Sequence, residues 1–238
     1  GMISFFFYLI FMLHSAPTYV TDRLALVDPT PILIENTIFI NIASNAYTGG
    51  ALYIQTDKDT TYTRLADVGF SRCSVAQGNG GAVFINSSYM TLTNVCATSC
   101  SCQLRGQFGY FCSQSNVDKS TFTQISLDHL QPESEDATSA ILLTCSSYPV
   151  DSDPIYSFSY LNSSYHLIRP KASPYGVCFR YTKIASVVVE YFTFSNCIGN
   201  TSSQCDLINA YQDQNKLSTS ATFRYGSIIN CTAESIMR

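Results

Sequence analysis

Asp151 and Asp153 lie in Tyr148-Pro149-Val150-Asp151-Ser152-Asp153-Pro154. Two carboxylates on one face are what acid–base cleavage of a glycosidic bond requires. The nearest basic groups are in Arg169-Pro170-Lys171, and a cation-assisted lyase would need such a base beside several carboxylate ligands. Flanking prolines place both stretches in loops, where Asp commonly serves turn geometry. The acidic run Glu133-Ser134-Glu135-Asp136 reads as a solvated loop. His14, His129 and His166 stand apart from any nucleophile in sequence, although a Cys–His pairing through the fold stays open. Cys96, Cys100, Cys102 and Cys112 crowd one short stretch. Their spacing is a weak match to the paired Cys elements of zinc sites. The expectation is a protein without catalytic residues, cofactor or metal.

Something must hold these loops, and a repeated phrase shows what. Thr48-Gly49-Gly50-Ala51-Leu52-Tyr53-Ile54 returns as Asn79-Gly80-Gly81-Ala82-Val83-Phe84-Ile85, 31 residues later. Each copy follows an aromatic-led strand pattern, Phe39-Ile40-Asn41-Ile42 and Phe70-Ser71-Arg72-Cys73. A period near thirty with strand chemistry means stacked coils. Extending the turn column predicts Gly50, Gly81, Gly109, Ser139, Gly176 and Cys205, at intervals of 31, 28, 30, 37 and 29. Extending the strand column predicts Phe39, Phe70, Thr93, Phe122, Phe158, Phe194 and Ile228. The loops between are rich in Asn, Gly, Ser and Pro, and no stretch has helix start and stop signals.

The reading is an all-β chain, a right-handed parallel β-helix of about six to seven coils of roughly 30 residues. In this reading Gly49, Gly50, Gly80 and Gly81 are turn and stacking residues, placed where φ is positive or rungs approach closely. They are not a phosphate-cradling loop, because no helix follows either pair. A β-sandwich with two similar hairpins is the alternative.

Composition narrows the setting. Apolar residues make up 46% and charged residues 13%, with a net charge of −4. Without a basic run, nucleic acid is not an expected partner. Met2 to Leu13 is a 12-residue apolar block followed by His14-Ser15-Ala16. A membrane-spanning helix needs about 20 apolar residues, so the block reads as a signal h-region. An uncleaved anchor and a buried strand are the alternatives. The ten cysteines and the sequons at Asn86, Asn162, Asn200 and Asn230 agree with an oxidising, extracytoplasmic compartment. The expected organisation is a signal peptide at 1–16, a lead-in cap at 17–33, and a β-helix at 34–238 that stops mid-coil. A C-terminal cap is expected to be missing or unrecognised.

Gly49-Gly50-Ala51-Leu52 and Gly80-Gly81-Ala82-Val83, with Phe70-Ser71-Arg72-Cys73 and Phe194-Ser195-Asn196-Cys197, resemble the repeats of polymorphic outer-membrane-protein-type β-helices. Such repeats occur in chlamydial surface adhesins and in surface proteins of parasitic protists. The resemblance is specific over residues 34–85 and faint afterwards. It implies a pectin-lyase-like fold and surface exposure, often with adhesion. That fold also hosts polysaccharide lyases and hydrolases, and fold alone does not decide between them.

The same columns pair Cys73 with Cys96 and Cys197 with Cys231 on successive coils, and Cys112 with Cys145 if the intervening coil bulges. Rungs about 4.8 Å apart would let such pairs form disulfides, or stack as buried thiols. The functional expectation is a secreted or cell-surface interaction protein, adhesin-like or scaffold in role. Its partner would be an unidentified protein or glycan on a cell surface, and membrane association would come only through sequence beyond Arg238. Tyr53, Tyr89 and Tyr165 are candidates for stacking on sugars. A polysaccharide-active enzyme and a purely structural stalk are the alternatives.

Overall fold

The computed structural model describes residues 16–28, 31–56, 61–113, 119–130, 139–145, 155–165, 177–182, 186–197, 206–211, 220–231 and 235–237. Among these the regular elements are all strands. Sheet 1 orders Thr18–Val20, Ile32–Ile40, Tyr62–Ser71, Tyr89–Thr98, Lys119–Leu130, Ile155–Tyr165, Ser186–Glu190 and Ser220–Arg224. Thr193–Ser195 and Ser227–Ile229 continue its last two members past a corner. Sheet 2 orders Leu24–Val27, Leu52–Gln55, Val83–Ser87, Gly109–Ser113, Ser139–Cys145, Val177–Thr182, Asp206–Tyr211 and Ser235–Met237. Sheet 3 is short, joining Ala43–Ser44, Ser74–Val75 and Ser101–Cys102. The ladders are parallel, and the chain visits the sheets in rotation. The molecule is a parallel β-solenoid. Strands begin before the expected boundary: residues 18–20 and 24–27 already belong to sheets 1 and 2.

Alternation along each strand sends every second side chain inward. Stacked rungs then turn those positions into ladders. Leu65, Leu92, Phe122, Phe158 and Val189 form one, with the Phe122 and Phe158 rings 4.3 Å apart. Ile54, Ile85, Phe111 and Leu143 form another, from sheet 2. Phe39 on Phe70 begins a third, with ring centroids 5.1 Å apart. All these side chains are buried, so each adds roughly 1.5–3 kcal/mol of apolar transfer.

The expected strand column merges two of these ladders. The register carries Phe39 and Phe70 on to Ala97, Leu127, Ser163, Phe194 and Ile228. Phe122 and Phe158 belong to the other ladder, and Thr93 faces outward between Ala66 and Thr123. The cause is a corner inside each long strand. Asn36, Asp67, Asn94, Gln124, Tyr160, Tyr191 and Tyr225 hold φ between 46° and 58° at aligned positions. This left-handed residue bends the strand, so one strand supplies an inward ladder on each side of the bend. A second corner follows at Asn41, Arg72, Ser99, His129, Asn196 and Asn230, with φ from 48° to 56°. Left-handed backbone costs about 1–2 kcal/mol for a residue with a Cβ, least for Asn and Asp, which lead both series.

The paired glycines divide two tasks. Gly49, Gly80 and Gly106 adopt φ of 63°, 71° and 72° at a third corner. Gly50 and Gly81 have no room for a Cβ. At Gly50 it would strike the carbonyl oxygens of Gly81 and Ser74, and at Gly81 those of Gln107 and Ser101. The obstacles are thus the next rung and the sheet 3 strand behind. Register puts Gln107, not Gly109, after Gly81 in the turn column, and Ser139 then follows as expected. Gly109 is an inward position whose side-chain space is filled by the Phe111 ring. Val177 and Asp206 occupy the column next, while the expected Gly176 and Cys205 lie outside the described residues.

Gly81→Ala is expected to destabilise the protein by about 2 kcal/mol or more, because both obstructing atoms are backbone. Asn94→Val should cost about 1–2 kcal/mol relative to Asn94→Gly. Urea unfolding of the variants checks both.

Candidate functional site

The first corner carries an outer ladder that changes chemistry along its length. At one end it is polar, and the Asn94 amide donates to the Asp67 carboxylate at 2.6 Å. At the other end stand Tyr160, Tyr191 and Tyr225, which are 52%, 48% and 68% exposed. Their rings stack with centroids 5.1 Å apart at both steps and interplanar angles of 12° and 19°. A stack along the solenoid axis covers the faces of the middle ring. It offers solvent a row of ring edges and hydroxyls instead. Arg224 Nε lies 3.1 Å from Glu190 Oε1, beside Tyr225 and Tyr191 in sequence. The strip therefore combines apolar edges, phenol hydroxyls and an ion pair, the mixture that suits a hydroxyl-rich or peptide ligand.

The expected tyrosines fare differently. Tyr53 stacks on Phe84 at 5.0 Å, Phe84 stacks on Tyr110 at 5.1 Å, and the Arg23 guanidinium covers the other face of Tyr53 at 5.1 Å. Arg23 is held there by donating to the carbonyls of Gly49 and Thr48 at 2.8 and 3.0 Å. Tyr89 is half-buried and stacks on Tyr62. These rings pack on their neighbours. The Tyr165 side chain lies outside the described residues. The repeat of tyrosines at 160, 191 and 225 was present in the sequence as a signal, at intervals close to the coil period.

Asp128, His129 and Ser164 meet at the second corner. Asp128 Oδ2 lies 2.6 Å from His129 Nδ1, and Ser164 Oγ donates to Asp128 Oδ1 at 2.9 Å. The His129 backbone N–H donates to the same hydroxyl at 3.0 Å. The carboxylate sits between the other two, so the serine proton points to Asp128 and away from the imidazole. That arrangement fastens a left-handed corner to the next rung and does not activate Ser164 as a nucleophile. The hydrogen bond from His129, followed by the one from Ser164, holds the Asp128 carboxyl below its ordinary value of 3.8. Asp151, Asp153, Arg169, Lys171, His14, His166 and the 133–136 acidic run lie outside the described residues, as does residue 1–15 of the expected signal.

The cysteine columns shift with the register. Cys96 is exposed and pairs with Gly69 and Ser126, while Cys100 takes the place beside Cys73. Cys73 with Cys96 is therefore not a stacked pair, because the register that sets Phe70 beside Ala97 carries Cys73 to Cys100. Cys197 and Cys231 are adjacent, as the register of Phe194 with Ile228 requires. Cys145 pairs with Ser113, one position from Cys112. Cys96 and Cys100 lie on opposite sides of the wall, and among the described residues no group of three His, Cys, Asp or Glu converges.

Of the sequons, Asn162 and Asn230 are exposed, whereas Asn86 is 9% exposed and is followed by buried Ser87 and Ser88. Asn200 lies outside the described residues. Family models, curated proteins and solved structures offer no match to the chain.

In a eukaryotic secretory host, glycopeptide mapping should find sugar at Asn162 and Asn230 and leave Asn86 bare, since the folded wall has no space for a glycan there. Asp128 has a lowered folded pKa, so its contribution to stability is present above the unfolded value and is lost as pH falls through the folded one. The stability gap between the parent chain and Asp128→Asn should therefore narrow as the pH falls below 3.8, in thermal unfolding across a pH series.

Proposed function

We propose that the protein is a secreted or cell-surface interaction scaffold, adhesin-like in role and without catalysis of its own. The observation that supports this is the exposed strip of Tyr160, Tyr191 and Tyr225. Packing explains the outer ladder of Tyr53, Phe84 and Tyr110, whose members are all half-buried. It does not explain three large aromatic side chains standing half in water. Such residues commonly serve recognition, because they present much rigid contact area at little entropic cost. A scaffold whose rungs fix the spacing of those side chains gives the partner a preorganised surface.

The finer fold assignment belongs with this reading. The solenoid is proposed to be a right-handed, pectin-lyase-like β-helix with six to seven coils over residues 34–238. Right-handedness follows the general rule for crossovers between parallel strands. The coil number is supported by the sheet 1 strands from Ile32–Ile40 to Ser220–Arg224. Membership among the polymorphic outer-membrane-protein-type repeats is proposed on the same basis. Its support is that the matching Gly-Gly and Phe positions have distinct structural tasks here.

A panel of immobilised glycans and intact cell surfaces, probed with the purified chain, tests the reading. Tyr191→Ala and Tyr225→Ala should each weaken the strongest interaction roughly tenfold, which corresponds to about 1.4 kcal/mol. Circular dichroism should remain unchanged. A partner bound equally well by both variants would remove the strip from the function.

A further inference from the structure

One inward ladder runs immediately behind the second corner. It begins Ile42, Cys73, Cys100, Leu130, and it ends Cys197, Cys231. Each cysteine follows a left-handed residue: Arg72, Ser99, Asn196 and Asn230 respectively. That shared backbone setting places all four thiols alike. Cys73 Sγ donates to Phe39 O at 3.5 Å, Cys100 to Phe70 O at 3.7 Å, Cys197 to Ser163 O at 3.6 Å and Cys231 to Phe194 O at 3.3 Å. Each thiol also lies 3.5, 3.5, 3.7 and 3.3 Å from the carbonyl oxygen two residues before it, so it sits between its own rung and the preceding one. For Cys100 and Cys231 that rung carries the other cysteine.

We propose that this ladder holds two rung-to-rung oxidation sites, forming the disulfides Cys73–Cys100 and Cys197–Cys231. Neighbouring parallel rungs lie about 4.8 Å apart, inside the roughly 4.4–6.8 Å Cα separation that a disulfide accepts. The thiols of each pair are near enough to shift one another's ionisation, Cys73 with Cys100 and Cys197 with Cys231. The oxidant is an external disulfide of the glutathione class. The Cys73 thiolate attacks one of its sulfurs, forming a mixed disulfide and releasing one external thiolate. The Cys100 thiolate then attacks the Cys73 sulfur and releases the second. The cysteine pair loses two protons and two electrons, and the external disulfide is reduced to two thiols. Cys73 and Cys100 are fully buried, so their exchange belongs to folding, whereas Cys231 is half-exposed and can be reached in the folded chain. Formation of the bonds in the cell rests on the secreted reading proposed above, but their pairing does not.

The test refolds the fully reduced chain in mixed glutathione and glutathione disulfide, then alkylates it and maps its peptides without reduction. The expected result is Cys73 linked to Cys100 and Cys197 linked to Cys231, each bond lighter by two hydrogens, with Cys96 alkylated. Cys96→Ser should leave both bonds in place. Cys231→Ser, the substitution nearest the surface, should expose Cys197 to alkylation and leave Cys73–Cys100 intact. Four alkylated thiols in a refolded chain with native β-sheet dichroism would overturn the proposal, and so would a Cys73–Cys96 link. If both bonds form on refolding but the chain from its own cells carries thiols, the pairing stands and the secreted reading falls.

Discussion

Lateral hydrogen bonding between identical rungs is the constraint on which the rest depends. In a parallel solenoid each backbone group is satisfied by the coil above or below. A residue therefore answers first to the residue one rung away and only then to its own neighbours in sequence. Corners must stack on corners, which is why left-handed residues recur at matched positions through seven successive members of sheet 1. Inward side chains must stack on inward side chains, which is why Phe39 lies on Phe70 and Phe122 on Phe158. The core is the by-product of that register, and a bend placed one residue late would turn a whole ladder inside out.

Much of this was legible in the sequence where the constraint is tightest. The paired glycines stood out because two separate demands fall on adjacent residues, a positive φ and a missing Cβ. The motif fades at Gly106-Gln107, where the Gln107 side chain takes up a task of its own: its Oε1 accepts the Cys102 backbone N–H at 2.6 Å.

The strand column was harder to follow because one strand carries two inward ladders. Phenylalanine appears in either, so the spacing of Phe122 and Phe158 imitated a continuation of Phe39 and Phe70. Ala97 and Leu127, the true successors, have no aromatic ring to draw notice. The cysteine pairing inherited that slip: Thr93 to Cys96 copies the Phe-x-x-Cys spacing, but Ala97 to Cys100 keeps the position. The tyrosine strip was hidden by abundance. With sixteen tyrosines in the chain, three at corner positions become visible only when the corners are known.

The first corner has one further consequence. Its side chains face outward, so the backbone conformation is demanding while the identity of the group it carries is nearly free, from Asn36 and Asp67 to Tyr191 and Tyr225. Such a position works like a socket of fixed pitch. The fold keeps the sockets in line at intervals of about 4.8 Å, and a change of contents alters the exterior without disturbing the wall. Moving along the axis amounts to reading a tape, polar at one end and aromatic at the other, on which a partner's footprint can be written one rung at a time.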